Sequence, residues 1–525
     1  MPWNTEMGAH VYKKIFIQDT TLPKIGLICL LGIGSGLVLY QSMAMELPML
    51  WVLCIIFLML FPFLALRLEM SKKVFLAVLI MTLALNIDQT FNLREHTGGP
   101  QGFIVSLSGI AIFILFLLFL YEKYQNRKKR FSFFMKASLP VFGIILMSVV
   151  SMSYAFDRMF SLYELLEIVK MYLIFLYIAN YVAYEKDLTF ILFFLIFGLF
   201  MESSIAILQS VSGSSLNLTV LGGKQEIASH MLDSGMVQRV GGTLGNSNSL
   251  AWYLVFLIPI PISLIFSNIR GLYKGILAVV VLMGMGTLFI TYSRGGWLGL
   301  LIGGMIVLYF NLKKLKMIQR AYFVFLLTML LVVSTIILFA IPNPIQKRLT
   351  ADDRGSAYVR IPLMKVALAI IERHPWTGIG LNNYTEVHEE YDITPEQVSY
   401  YFPHSVHNIY LLLAAEIGIP GLLFFLWFIV LVYRQALFYI RSHEGYSVSF
   451  VVGILGGLTG FLINGLVENG LIGNYQFLSL WFFSGVLCGL VEQKKQDEVF
   501  FRNESVAAQQ DSSGITLWHE DDHIL

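Results

Sequence analysis

Arg239, Arg294, Arg360, His404 and His407 are the residues whose types and surroundings offer chemistry. A guanidinium presents a rigid fork of donors that matches two phosphate oxygens, and it never deprotonates. Arg239 opens RVGGTLGNSN, a flexible turn able to bring backbone amides to an anion. Arg294 lies in YSRGGW, at a tight turn between two apolar runs, where Gly295 and Gly296 leave space beside it. Arg360 begins the amphipathic stretch RIPLMKVALAIIERHPW. The competing reading for each is a helix-end anchor or a partner for a loop carboxylate. In PHSVHNIYL, His407 with Asn408 beside it reads as a proton acceptor, since an imidazole titrates near neutrality. The three-residue spacing from His404 would suit a metal, but no third ligand has compelling spacing, so no metal site is expected. Glu164, Glu167 and Lys170 step by three along one helix face, as a self-neutralising structural group or a functional one, with Glu202 a further candidate. The GIG of WTGIGLNNY follows a proline and no strand, which excludes a dinucleotide loop and leaves glycines that permit turns.

These residues need elements to position them. The chain has 525 residues, 57% apolar and 13% charged, about half the charge of a soluble globular chain, and its mean hydropathy is +0.71. A water-soluble fold is excluded. Apolar runs fall at about 25–45, 47–66, 74–91, 102–121, 137–155, 160–183, 188–208, 248–267, 272–292, 295–312, 321–341, 409–433, 448–468 and 473–491. Long runs without period-2 alternation point to helices over a barrel. The expected fold is an all-α polytopic membrane bundle of about 12–14 spans. Cys29, Cys54 and Cys488 lie in apolar runs and offer no disulfide framework.

If the runs alternate, the Lys and Arg of the short connectors fall on one side, which is then the cytoplasm, together with both termini. The first run is read as a retained span, because no small-residue cleavage site follows it. Two long segments emerge on the external face, about 209–247 and 342–407. The expected division is therefore 1–208, N-terminal membrane helices; 209–341, core helices with the external arginines; 342–407, an extracytoplasmic helical cap; 408–491, C-terminal helices; and 492–525, a disordered cytoplasmic tail. External arginines oppose the orientation rule, and a phosphate ligand supplies a reason for them.

RVGGTLGNSNSLAWYL, TYSRGGWLGLLIGG, ERHPWTGIGLNNY and HSVHNIYLLLAAEIGIPGLL, in this order and separated by spans, resemble the O-antigen ligase and polymerase superfamily of bacterial surface polysaccharide assembly. The resemblance covers about residues 200–435. It implies a metal-independent, inverting glycosyltransfer without a cofactor on the outer face of the cytoplasmic (inner) membrane. The donor would be an undecaprenyl-diphosphate-linked glycan and the acceptor a glycan, a lipid A core or a protein. Membrane lipid, flippase and chain-length regulator proteins are the other partners it implies; no nucleic acid is expected. Carried over by motif, Arg294 and Arg360 would hold the diphosphate and His407 would activate the acceptor hydroxyl. Arg239, Lys170, His404 and Asn408 are expected to bind substrate, and His404, which the family does not require, leaves the choice of base open. A secondary transporter or channel is the alternative from another class, but it calls for repeat-related halves and midplane helix breaks, whereas the polar residues here gather at the outer surface. A membrane scaffold explains neither the arginines nor the cap.

Overall fold

Backbone in an apolar run must satisfy its own hydrogen bonds, and in this chain it does so as helix. The computed structural model describes residues 68–125, 131–185, 188–218, 221, 228–232, 235–313, 315–319, 321, 359–468, 470, 473 and 475–493. The runs expected at 25–45, 47–66 and 321–341, residues 342–358 of the cap segment and the tail from 494 lie outside the described residues. Among those described, nine helices are long and apolar enough to cross a membrane. They are α2 (Leu107–Gln125), α3 (Met135–Met152), α4 (Arg158–Glu185), α5 (Leu188–Ser212), α6 (Ser247–Ile265), α7 (Gly271–Ile290), α8 (Arg294–Leu312), α10 (Ile409–Ser442) and α11 (Tyr446–Asn464). The shorter α1 (Leu68–Met81), α9 (Arg360–Arg373) and α12 (Leu478–Gln493) complete the main helices. The chain is thus an all-α polytopic membrane bundle.

Two expected runs are corrected at their edges. The run at 74–91 is helical only to Met81 and ends in strand β1 (Asp88–Phe91), which pairs antiparallel with β2 (Phe103–Ser106) at the start of the run expected from 102. Asp88, Gln89 and Thr90 interrupt the apolar pattern, and the Gly98–Gly99–Pro100 turn between the strands cannot continue a helix. A second hairpin, β3 (Ala228–Leu232) with β4 (Gly235–Arg239), lies in the segment expected as a loop.

The described residues divide into two compact units, one within 76–116 and 128–525, the other within 1–75 and 117–127. In the second, buried Lys72 pairs with Glu122 at 3.4 Å. All candidate site residues belong to the first.

Within that unit, α8 and α11 meet along glycines spaced by four, Gly299 and Gly303 on one, Gly456 and Gly460 on the other. A Cβ at Gly299 would stand 2.6 Å from the Gly460 carbonyl oxygen, and one at Gly456 would stand 2.7 Å from that of Gly303. In lipid, where apolar side chains gain little by leaving their solvent, such small-residue faces let backbones approach and pack. The contact fixes the start of α8 against the end of α11.

The cap grows from α9. Its buried residues Leu363, Val366, Ala367 and Ile370 repeat at helical spacing and share a core with Ile379, Tyr384, Val406 and Leu412. Helix α10 breaks at Ile417 and Gly418, where Gly418 has φ 74°. Pro420 has no N–H for the Glu416 carbonyl, so Gly380 donates to it instead at 3.1 Å, and Ile379 donates to Ala415 at 3.0 Å. The displaced Ile419 N–H donates to the Pro375 carbonyl at 2.8 Å. The WTGIG glycines therefore serve turns, Gly378 and Gly380 both having positive φ, and join the cap to the broken helix. The following asparagines tie it down further: Asn383 accepts from the Asp157 N–H at 2.7 Å and donates to Ser161 at 3.0 Å. Asn382 lies 2.8 Å from His96, whose other ring nitrogen is 2.7 Å from Glu386.

Candidate functional site

The turn between α7 and α8 presents Arg294 as the first residue of α8. Ser293 caps that helix by accepting from the Gly296 N–H at 3.2 Å, and Tyr292 before it has φ 54°. A bulky residue in the left-handed region costs about 1–3 kcal/mol and persists only where its surroundings hold it. Buried Arg239 supplies one such hold: its Nε donates to the Thr291 carbonyl at 2.8 Å and its Nη2 to Asn248 Oδ1 at 2.7 Å. Arg239 thus fixes the turn that carries Arg294. Next to Arg294, a Cβ on Gly295 would meet Asn464 and stand 2.7 Å from Val467, so the start of α8 lies on the turn that follows α11.

The segment ahead of α10 meets the same turn. Asn408 is the N-cap of α10, accepting from the N–H groups of Tyr410 and Leu411, and its Nδ2 donates to the Leu466 carbonyl at 3.2 Å. Ile409 donates to the Gly465 carbonyl at 2.9 Å. These bonds place His407 beside Glu468. The Glu468 carboxylate, 5% exposed, gathers three motifs. Oε2 accepts from Asn248 Nδ2 at 2.9 Å and lies 3.7 Å from His407 Nδ1, while Oε1 faces Arg360 Nη2 at 3.4 Å. Arg239, Arg360 and His407 are linked through Glu468 and Asn248, with Arg294 on an adjoining backbone. Among the described residues, fully buried Asn464 has no hydrogen-bond partner for either amide atom, and His407 Nδ1 has none either. Leaving such atoms unmet costs about 1–3 kcal/mol each.

Other expected residues lie elsewhere. His404 is exposed on the cap, whereas His407 is half-buried at Glu468. Lys170 pairs with Glu167, lies 3.1 Å from Ser106 Oγ and lines a small polar cavity with Asn86, Asp88 and Ser108. Glu164 accepts from the Gly473 N–H at 2.8 Å. Glu202 does not join that group. Its carboxylate accepts from the Thr243 N–H at 2.9 Å and from the Thr243 hydroxyl at 2.7 Å. With Gln209 accepting from the Gly242 N–H at 2.9 Å, two amides of the RVGGTLGNSN turn are met from within the protein. The expectation that this turn cradles an anion with those amides is corrected accordingly.

Glu468, Asn248 and Asn464 are the site residues that the sequence pattern did not single out. A signal exists for Glu468, a carboxylate at the end of an apolar run in NGLVENG, because an ionisable group there is costly unless it has partners.

Residues 277–426 match the family model described as O-antigen ligase. The matched segment runs from within α7, through Arg294, Arg360 and His407, into α10 beyond its break. Among curated proteins, none matches the chain. Three of the four motifs that carry the resemblance fall wholly within the matched residues, and the described helices make the chain a multi-pass membrane protein.

Proposed function

We propose that the chain transfers a glycan from an undecaprenyl diphosphate carrier to a hydroxyl of a second glycan, or of a lipid A core or protein, on the outer face of the cytoplasmic membrane. One observation carries this reading: Arg360, His407 and, through Asn248, Arg239 converge on Glu468, at the turn against which the Arg294 end of α8 rests.

In the transfer, the acceptor oxygen forms a bond to the anomeric carbon as the bond from that carbon to the diphosphate oxygen breaks. Negative charge then builds on the leaving diphosphate. Arg294 and Arg360 stabilise it where it develops, with a planar fork that needs no reorganisation. His407 takes the hydroxyl proton. A single displacement inverts the anomeric centre, and the stored energy of the diphosphate linkage drives it without a nucleotide or metal. His404, exposed on the cap three residues before His407, flanks the entry of the acceptor. Both termini are then cytoplasmic and the cap external.

Reconstitution of the purified chain with undecaprenyl diphosphate repeat units alone tests the reading. A ladder of longer lipid-linked products marks polymerisation; transfer only when a separate core or protein acceptor is added marks ligation. No release of undecaprenyl diphosphate under either condition contradicts the proposal.

A further inference from the structure

We infer that Glu468 is a positioning residue for the transfer: one of its oxygens sets the tautomer of His407, while the other holds Arg360 until the donor diphosphate takes its place. The inference rests on the proposed transfer and adds to it a residue outside the matched family segment.

A carboxylate this buried is retained only if it is paired. The shortest of its contacts, 2.9 Å from Asn248 to Oε2, anchors the group, and Asn248 is itself held by Arg239 at 2.7 Å. The other two contacts are looser. Arg360 Nη2 lies 3.4 Å from Oε1, and His407 Nδ1 lies 3.7 Å from Oε2, outside hydrogen-bond range and with no other hydrogen-bond partner among the described residues. An anchored carboxylate with two loose cationic or polarisable neighbours can release one and tighten on the other.

A diphosphate that engages the Arg360 fork competes with Oε1 for the same donors and, with its larger negative charge, draws the arginine away from the carboxylate. Closing the gap to His407 needs a shift of about 1 Å, of the kind by which loose apo contacts tighten when substrate arrives. Oε2 then accepts the Nδ1–H, which leaves Nε2 with its lone pair as the proton acceptor. The balance is complete within the site. The acceptor hydroxyl loses its proton to Nε2, its oxygen bonds to the anomeric carbon, and the diphosphate departs with the electron pair of the broken bond. The imidazolium is held against the Glu468 side chain until it returns the proton to water.

The test uses full-length chain in liposomes with undecaprenyl-diphosphate-linked glycan, and reads kcat, donor KM and binding of undecaprenyl diphosphate itself. Glu468→Gln keeps the shape and removes the charge. Its kcat should fall by about 10- to 1000-fold, a part of the roughly 100- to 10,000-fold that general-base catalysis supplies, with donor KM changed less than about threefold and undecaprenyl diphosphate still bound. Glu468→Asp should recover part of the loss, and it carries the test alone if the Gln variant does not fold. Combined with His407→Ala, Glu468→Gln should add little further loss, because residues acting as a unit are not additive. A kcat within twofold of wild type for Glu468→Gln, or losses that multiply in the double variant, overturns the inference while a dead His407→Ala leaves the transfer reading standing. Full turnover in His407→Ala overturns both.

Discussion

At the scale of the residue, the distinction that matters is between charge and shape. Lys at 294 or 360 keeps a positive charge and loses the planar fork that engages two oxygens of one phosphate. Arg294→Lys and Arg360→Lys should each lower transfer at least about tenfold, because bidentate charge-assisted bonds are the strong ones, with normal expression and membrane insertion. Full activity in both variants, measured on purified protein, would show that no fork is required. Arg239 differs from the other two. Its buried bonds to Thr291 and Asn248 make it a support for the turn, so its replacement should reduce folded yield together with activity. The arginines and His407 stood out because guanidiniums at the ends of apolar runs and a motif-bound imidazole are unusual in an apolar chain. Glu468 was not, since its partners Asn248, Arg360 and His407 lie far from it in sequence and only the packing of α8 on α11 and the start of α10 brings them together.

At the scale of the element, the α8–α11 contact positions Arg294, and it tolerates no side chain. Gly460→Val would place atoms where the Gly299 carbonyl stands, an overpacking that costs about 1–3 kcal/mol or more. It should lower thermal stability and transfer together. Gly304→Ala, on α8 with nothing within 4 Å, should change neither, and equal effects of the two would show that the close approach does not matter.

The cap is fastened by carboxylates. The Arg94 guanidinium, 2.5 Å from Asp157, holds that carboxyl below the usual carboxylate range. Burial pushes the Asp392 carboxyl up, but hydrogen bonds from Ser399 and Thr394 outweigh it and hold the carboxyl low as well. Depressed folded-state values mean that this stabilisation is present above the ordinary Asp value of about 3.9 and fades as pH falls through the lowered values. Amides of the cap around 381–399 should therefore exchange hydrogen slowly near neutrality and faster below about pH 4. Asp157→Asn should speed exchange already at neutral pH. Exchange that is indifferent to both would detach these carboxylates from cap docking. The nine described spans were legible from hydropathy, and the break in α10 was half-written in Gly418 and Pro420. The two hairpins were not, because short strands inside or beside apolar runs have no period distinct from a helix end.

At the scale of the whole molecule, sidedness decides whether the site meets lipid-linked glycan at all. The Lys and Arg pattern predicts the cap on the external face. A reporter cysteine belongs at exposed Glu396, in a chain whose own Cys29, Cys54 and Cys488 are replaced. A membrane-impermeant thiol reagent should label it in intact cells. Labelling only after permeabilisation would invert the topology and place the site away from its proposed substrate.

The proposed activity comes down to one chemical event, release of undecaprenyl diphosphate coupled to growth of a second glycan. The most direct measurement compares wild type with His407→Ala in the same liposomes, following free undecaprenyl diphosphate and acceptor-linked product over time. The wild type should release one undecaprenyl diphosphate for each glycan transferred, and the variant should bind donor while turning it over about two to four orders of magnitude more slowly. Equal turnover in both proteins, or product without stoichiometric undecaprenyl diphosphate, would contradict it.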